Sequence, residues 1–198
     1  MAFKVESEFE SRDWSGGSTR ELFIFPICSS YAERNFQFRL SNASLESEAS
    51  QFTSLPGVSR KLLLLDGSLQ LKYENEKPAT LIKGECIAFD GGKDMRSMGR
   101  GEDINVMTTG AFESHVEYFR LSIRKMIIFD FGEDFFSAIY VHRGEIKLQY
   151  GNQFFSVREK NLGYCLPASA EEMKMEGIAP ESEYVVVRIN IGNSKVAG

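Results

Sequence analysis

Alternation of apolar and polar residues is the main signal along this chain. "SLQLKYE" at 68–74 and "EIKLQY" at 145–150 place apolar side chains at every second position, which is the period of a strand with one buried face. Asp66-Gly67 and Arg143-Gly144 directly precede these segments and predict tight turns between strands. Because long helical periodicity is nearly absent, the pattern predicts an all-β protein.

The alternating segments occur in two copies. "LDGSLQL" (65–71) is echoed by "HRGEIKL" (142–148), and three further pairs follow at offsets of 79 to 81 residues. These pairs are "GECIAF" (84–89) with "GYCLPA" (163–168), "FRLS" (38–41) with "FRLS" (119–122), and "EDINVM" (102–107) with "SEYVVV" (182–187). A repeated order at a nearly constant offset predicts an internal duplication of about eighty residues, with one domain over 1–110 and another over 111–198.

Each copy has the strand order of a known barrel. A strand, a glycine turn, an alternating strand, a Gly-Glu hairpin and an apolar strand follow one another, as in the cupin, a double-stranded β-helix or jelly roll. Two such units predict a bicupin, with two fused barrels in one chain. The segment 91–103, "GGKDMRSMGRGED", is glycine-rich and charged, and it predicts an exposed loop.

Composition excludes several classes of partner. The net charge is −5 and the basic residues are scattered, whereas a nucleic-acid partner requires a concentrated basic face. The longest apolar runs, such as "LLLL" at 62–65, have the length of strands and predict no membrane association. Three cysteines and a polar, acidic N-terminal segment predict a cytoplasmic protein with reduced thiols.

The residues at the usual metal positions of a cupin cannot form a metal site. Many cupins bind a divalent cation through two histidines and a glutamate of one motif and a histidine of a second. Alignment of the motifs on Gly67 and Gly84 in the first copy and on Gly144 in the second places no imidazole at these positions, so we predict no metal and no other cofactor. The residues found there are Ser54, Pro56, Arg60 and Met95 in the first copy, and Phe131, Glu133, Ser137 and Glu172 in the second.

Arg60 replaces the metal-binding glutamate and reverses the charge at that position. Burial does not neutralise a guanidinium, so inside a barrel it requires an anionic partner. That partner is either a protein carboxylate, with Asp103 and Glu21 as candidates, or the carboxylate or phosphate of a ligand. The sequence leaves both alternatives open.

Other polar residues share strand faces with one another. Arg39, Ser41 and Ala43 alternate along one strand, Asp103, Asn105 and Met107 along a second, and Thr19 and Glu21 along a third. Together with Ser54 and Arg60 these residues are candidates for the lining of a ligand cavity. For each of them taken alone, the alternative is a position that faces solvent.

Four segments resemble the HutD/Ves family of bicupins. They are "WSGGSTRELFIFP" (14–26), "FQFRLSNAS" (36–44), "FTSLPGVSR" (52–60) and "DINVM" (103–107). The segment after Trp14 is shorter than in the family and lacks its asparagine, and Phe38 stands where the family has a tryptophan. The resemblance implies the bicupin fold and, for members linked to histidine utilisation, a regulatory role based on binding an intermediate such as formylglutamate.

These observations predict a metal-independent protein that binds a small carboxylated metabolite and acts as a regulator or sensor. Arg39 and Arg60 would bind the carboxylate, and Ser41, Asn105 and Thr19 would form hydrogen bonds to the ligand. The alternative is a metal-independent isomerase or lyase that uses Asp103 or Glu21 as acid or base, although we assign no catalytic residue. A third possibility is a structural role in which the second copy forms a homodimer.

Overall fold

The computed structural model describes residues 2–4, 8–73, 77–130, 132, 134–166 and 172–192. Within these ranges the chain forms seventeen strands and no α-helix, so the prediction of an all-β protein is confirmed. None of the described residues belongs to a helix with the length and apolar character needed to cross a membrane.

The strands belong to two compact units, Phe9–Phe112 and Met1–Glu8 with Glu113–Gly198. In the first unit the central antiparallel pair is β6 and β9. The strands β4 and β5 pair with β9, the strands β7 and β8 pair with β6, and the hairpin β2–β3 extends the sheet beyond β4. The strands of this unit are β2 (Glu10–Trp14), β3 (Gly17–Phe25), β4 (Phe38–Leu45), β5 (Ala49–Gln51), β6 (Val58–Tyr73), β7 (Ala79–Ile82), β8 (Cys86–Asp90) and β9 (Met95–Thr109).

The second unit consists of two antiparallel sheets. Their strand orders are β1-β15-β12-β17-β10 and β11-β16-β13-β14. The strands are β1 (Ala2–Lys4), β10 (Glu113–Ser122), β11 (Met126–Asp130), β12 (Phe135–Arg143), β13 (Glu145–Tyr150), β14 (Gln153–Arg158), β15 (Leu162–Cys165), β16 (Glu172–Gly177) and β17 (Glu181–Asn190). The pairing of β1 with β15 has no signal in the alternation pattern, since β1 is only three residues long.

The two units share one scheme of strand pairing. In the first, β6 pairs with β9 along its length, with β8 through its first half and with β7 through its second half. In the second, β12 and β13 replace β6, β17 and β16 replace β9, and β15 and β14 replace β8 and β7. The strands β10 and β11 correspond to β4 and β5. The internal duplication predicted from the sequence therefore has a counterpart in the pairing of the strands.

The two glycines that open the sequence echo form bends, and the prediction of tight turns there is wrong. Gly67 lies inside β6, which continues through it, and Gly144 lies between β12 and β13, which follow one another without reversing. Both have positive φ, 85° and 82°, a conformation that favours glycine. A β-carbon on Gly67 would also collide with the carbonyl oxygen of Arg100 on β9, so the bend requires glycine for both reasons.

The segment 91–103 also differs from its prediction as an exposed loop. β9 begins at Met95, and the side chains of Met95 and Ser97 are buried whereas those of Arg96 and Met98 are exposed. This is the alternation of a strand with one solvent-facing side. Gly99 and Gly101 lie where β9 passes the bend in β6, and their close contact with that strand accounts for the glycines that suggested a loop.

Apolar side chains fill the second unit and only part of the first. The second core takes residues from both sheets, among them Ile139, Leu148, Met175 and Tyr184. The first unit has a core that extends along both halves of β6, and its members are Leu45, Phe52, Leu62, Leu64, Leu69, Leu71, Leu81 and Met95. The neighbouring part of its interior is polar and contains a cavity.

Candidate ligand-binding cavity

A cavity of about 350 Å³ lies within the unit Phe9–Phe112. This volume is in the range of small-molecule sites, and its combination of aromatic and charged walls is typical of them. The lining residues are Arg12, Asp13, Trp14, Thr19, Tyr31, Ala32, Arg39, Ser41, Ala43, Phe52, Thr53, Arg60, Asp103, Asn105 and Met107.

The floor of the cavity is a ladder across β4, β9 and β6. In the antiparallel register Met107 pairs with Arg39 on one side and with Arg60 on the other, which forms the first rung. Ser41 and Asn105 form the second rung, and Ala43 and Asp103 form the third. Since residues two apart on a strand share a face and lie about 7 Å apart, the floor presents two arginines at one end and an aspartate at the other.

Arg60 is buried with a guanidinium that has few polar partners. Only 4% of the residue is exposed, and the guanidinium packs against the rings of both Phe52 and Phe89, with Cζ 5.1 and 5.0 Å from their centroids. Among the described residues its one hydrogen bond runs from Nη1 to the carbonyl oxygen of Thr53 at 3.4 Å, and none of them is a partner of Nε. Burial lowers the pKa of Arg60 to about 10, and Tyr31 and Asp103 raise it by smaller amounts. The cation is therefore poorly solvated.

The ion pair proposed for Arg60 within the protein is absent from the described residues. Glu21 contacts the other arginine instead, with 2.6 Å between its Oε2 and Nε of Arg39. Arg39 also donates a hydrogen bond from Nη1 to Ser41 and lies 4.4 Å from the centroid of the Tyr31 ring. Asp103 lies near enough to act on Arg60 electrostatically but forms no ion pair with it. The Glu21 carboxylate therefore compensates Arg39, and Arg60 remains uncompensated by direct contact.

Asp103 is the corresponding unsatisfied acid of the cavity. It is 1% exposed, and its Oδ1 has no hydrogen-bond partner. Burial is the main cause that raises the pKa of Asp103 to about 7. The charge of Arg60 lowers this pKa and the charge of Glu102 raises it, each by less than burial does. The carboxyl group therefore changes its charge near neutral pH, which an exposed aspartate does not do.

Four buried polar atoms of the lining lack a partner. Arg60 Nε and Trp14 Nε1 are donors, and Asp103 Oδ1 and Asn105 Oδ1 are acceptors. Buried polar groups in proteins are almost always hydrogen-bonded, because an unsatisfied group costs about 1–3 kcal/mol. Among the described residues, four of the nine buried side-chain atoms without a partner therefore belong to residues of this one cavity.

The hairpin β2–β3 supplies one wall of the cavity. It contributes Trp14 and Thr19, and the indole lies 6.5 Å from the ring of Phe52 between centroids. A β-carbon on Gly16 would collide with the Trp14 ring, and the carbonyl oxygen of Gly16 accepts hydrogen bonds from the amides of Glu46 and Ser47. The glycines after Trp14 thus allow the turn to pack closely and hold the indole over the cavity.

Of the eight residues predicted to line a ligand site, the structure brings six together around the cavity. They are Thr19, Arg39, Ser41, Arg60, Asp103 and Asn105. Glu21 lies outside the lining and acts through Arg39. Ser54 is exposed, and its hydroxyl donates to the carbonyl oxygen of Gly92 at 3.2 Å, which directs it away from the cavity.

Sequence reasoning missed several lining residues. Tyr31 and Ala32 belong to the connection between β3 and β4, which has no strand period and so gave no signal. Phe52 and Thr53 lie between β5 and β6 within "FTSLPGVSR", one of the segments of the family resemblance, and that segment was the available signal. Ala43 and Met107 lie on the strand faces that the sequence analysis named, but they were not predicted as lining residues because the candidates were chosen for polar side chains.

The donor set at the metal positions of a cupin does not fit a divalent cation. Arg60 is a cation, Met95 is buried in the apolar core, and Ser54 is exposed. In the second unit Glu172 is exposed, and Phe131 and Glu133 lie outside the described residues. The part of the chain that the structure describes contains no group of three or more His, Cys, Asp or Glu side chains placed to hold a metal ion.

Aromatic side chains occupy the equivalent interior of the second unit. Tyr184 pairs with Phe119 and Val141 as Asp103 pairs with Ala43 and Leu64. The rings of Tyr184 and Phe119 stack with centroids 5.5 Å apart, and burial raises the pKa of Tyr184. The exchange of Ala43 and Asp103 for two aromatic residues fills the space that is open in the first unit.

His142, next to Arg143-Gly144, is buried. It is 2% exposed, and its Nδ1 lies 3.3 Å from Nζ of Lys160 and its Nε2 3.9 Å from Oε2 of Glu183. The residue lies at a bulge where the register of β12 against β17 shifts between Val141 and Arg143. Such an irregularity turns a side chain to the other face of a strand, and an alternation pattern does not reveal it.

Comparisons with known proteins agree with this fold. The chain resembles PA5104, a conserved protein of unknown function from Pseudomonas aeruginosa PAO1, with a TM-score of 0.82 and 14% identity over 96% of this chain and 98% of that one. It also resembles HutD from Pseudomonas fluorescens SBW25, with a TM-score of 0.72 and 16% identity over 96% and 97%. A mutant of the oxalate decarboxylase OxdC from Bacillus subtilis matches with a TM-score of 0.67 and 11% identity over 96% and 77%.

At these identities the solved structures establish a shared, cupin-type fold. A search of curated proteins finds no match. The HutD family model matches residues 6–177, and this range includes all four segments on which the resemblance rests and every residue that lines the cavity. The chain belongs to the HutD family.

Proposed function

We propose that this protein is a metal-independent bicupin whose first unit binds a small carboxylated metabolite in a regulatory or sensing role. The observation that carries the proposal is Arg60, a buried guanidinium that faces a cavity and has no carboxylate in contact with it. A ligand carboxylate would supply the anionic partner that a buried arginine requires, through hydrogen bonds strengthened by charge.

The shared pairing scheme of the two units supports the description as a bicupin. Each unit places a long central strand, or two consecutive strands, against the same set of neighbours. The difference between their interiors supports a division of roles, because the first has an open polar cavity at the position where the second has the stacked rings of Phe119 and Tyr184. In this proposal the first unit binds the ligand, and the filled second unit gives stability.

A solved relative gives the simplest candidate for a first ligand. The HutD structure from P. fluorescens was obtained in a formate condition, and formate is the smallest carboxylate. For the present chain a cavity of about 350 Å³ leaves room for a larger acid. A screen therefore starts from formate and extends to mono- and dicarboxylates and to acylated amino acids.

We expect carboxylates to raise the melting temperature of the protein, whereas neutral amides and esters of the same shape will not. A ligand at a hundred times its Kd stabilises the folded state by about 2.7 kcal/mol, which corresponds to a shift of roughly 5–10 °C for a chain of this size. The intrinsic fluorescence of Trp14 gives a second measurement, since this residue lines the cavity and is the only tryptophan of the chain.

The matched variant for this test is Ala43→Phe, which changes no charge. It copies the phenylalanine that pairs with Tyr184 in the second unit, so it should fill the cavity and remove the shift. Ala79→Phe is the control, because Ala79 is exposed on β7 and lies outside the lining. The proposal fails if no carboxylate shifts the transition of the native protein, or if Ala43→Phe responds like Ala79→Phe.

One observation favours a second candidate, a metal-independent isomerase or lyase. The pKa of Asp103, raised to about 7 by burial, suits a general acid or base at neutral pH. Under this alternative the stabilising ligand is converted over time, which nuclear magnetic resonance of the ligand would detect, and Asp103→Asn abolishes the conversion. Binding without any new product over hours favours the regulatory proposal.

A further inference from the structure

The floor of the cavity has chemically opposite ends. Arg39 and Arg60 belong to the first rung and Asp103 to the third, with Asn105 between them. The first and third rungs, at Met107 and Asp103, lie four positions apart along β9, which is about 13 Å of strand. Because Glu21 compensates Arg39, the two buried charges of the lining without an ion pair among the described residues are the guanidinium of Arg60 and the carboxyl group of Asp103.

The unsatisfied atoms divide in the same way. Arg60 Nε is a donor and requires an acceptor, whereas Asp103 Oδ1 and Asn105 Oδ1 are acceptors and require donors. Asp103 and Asn105 are 1% and 5% exposed, so a donor reaches them from within the cavity that both residues line. Trp14 Nε1 adds a second unsatisfied donor to the lining. A group that both donates and accepts, such as an amide or a hydroxyl, fits this set.

We propose that the cavity distinguishes the two ends of its ligand, with Arg60 binding a carboxylate and Asp103 and Asn105 accepting hydrogen bonds from an amide or hydroxyl at the other end. This inference rests on the proposed function and deepens it, because it names the class of acid. A carboxylic acid with a hydrogen-bond donor at its far end is the preferred ligand. A plain dicarboxylate of the same length is disfavoured.

The weaker binding expected for a plain dicarboxylate has a direct electrostatic cause. A second carboxylate is an acceptor without a proton to donate, and in the cavity it would face two further acceptors. Above neutral pH Asp103 is also ionised, since burial raises its pKa to about 7, and like charges in a buried site repel strongly. Glu102 adds to this negative potential, and Arg60 reduces it.

The test uses pairs of acids that differ only at one end. Succinate, glutarate and adipate are compared with their monoamides at pH 8, by Trp14 fluorescence and by calorimetry on the full chain. In each pair the amide and the carboxylate have nearly the same shape, and the three lengths allow for the span of the floor. We expect the better-fitting monoamide to bind about tenfold or more tightly than its diacid, which corresponds to 1.4 kcal/mol.

Asp103→Asn gives the decisive comparison. The side-chain amide removes the negative charge and supplies a donor, so the preference should disappear or reverse in favour of the diacid. Asn105→Ala provides an independent variant in case Asp103→Asn does not fold. It removes one acceptor, so it should weaken the binding of the monoamides more than the binding of the diacids.

The outcomes separate this inference from the proposed function. Monoamides that bind tighter than diacids, with a preference that depends on Asp103, support both. Diacids that bind as tightly as monoamides or more tightly in the native protein overturn the inference and leave the carboxylate site intact. A native protein that binds neither member of any pair, nor any other carboxylate of the screen, overturns both.

Discussion

Arg60→Met is expected to abolish the thermal shift that carboxylates produce, while the unligated protein remains folded. Removing one member of a buried charge pair costs about 2–5 kcal/mol of binding energy, so affinity should fall by at least about 30-fold. Methionine has a similar length and makes favourable contacts with aromatic rings, here Phe52 and Phe89. Titration of a carboxylate against Trp14 fluorescence, with a melting curve of the free variant, measures both effects.

The matched control is Arg96→Met on β9. Arg96 belongs to the same unit, its side chain is 67% exposed, and it lies outside the cavity lining. This variant should bind carboxylates like the native protein. If Arg60→Met keeps its affinity, the buried guanidinium has another role, and the proposed site is wrong.

The free Arg60→Met variant should be at least as stable as the native protein. Burial holds the pKa of Arg60 near 10, below its ordinary value of 12.5, so the folded state carries a desolvated cation that it would not need for packing alone. A group that destabilises the fold and faces a cavity is typical of a functional site. A gain in stability together with a loss of binding would be the signature of such a residue.

The fold was accessible from the sequence because strand alternation and glycine spacing recur. Gly67 and Gly144 are 77 residues apart, and both form the same bend with φ near 85°. The residues that face inward on β4 and β9 were also recoverable, because alternation groups Arg39 with Ser41 and Asp103 with Asn105. Which of the two faces points inward depends on the neighbouring strands, and a single strand does not reveal it.

One of the sequence echoes is misleading. The two copies of "FRLS" suggest that Phe38 corresponds to Phe119, but Phe38 pairs with Thr108 in β9, and Ser114 holds the equivalent place opposite Ile189 in β17. Phe119 instead corresponds to Ala43, as judged by their partners Tyr184 and Asp103. The two "FRLS" segments thus lie five residues out of register, and short matches in strands identify a face less reliably than the pairing does.

The asymmetry between the two interiors was the least predictable feature. It depends on two exchanges, Ala43 for Phe119 and Asp103 for Tyr184, whose sequence neighbours are unremarkable. Cavity volume is a property of side chains on different strands that meet at one rung. The correct register is therefore required before the open and filled interiors can be told apart.

Asp103→Asn is expected to remove a fall in stability that the native protein shows as pH rises. The pKa of Asp103 is about 7 in the folded chain, against an ordinary value of 3.8. Between these values the unfolded chain loses its proton and the folded chain keeps it, so folding becomes less favourable from about pH 4 to about pH 7. Three pKa units correspond to about 4 kcal/mol. Urea unfolding followed by Trp14 fluorescence from pH 4 to 9 measures the first unit.

The variant should match the native protein near pH 4, apart from any constant effect of the amide, and exceed it in stability above pH 7. Asp90→Asn, at an exposed position on β8, should leave the native profile unchanged. Arg60→Met should move the end of the fall to higher pH, because Arg60 is the charge that lowers the pKa of Asp103. A native profile that is flat from pH 4 to 7 would show that the carboxyl group is hydrated, and the acceptor end of the cavity would then offer no selectivity.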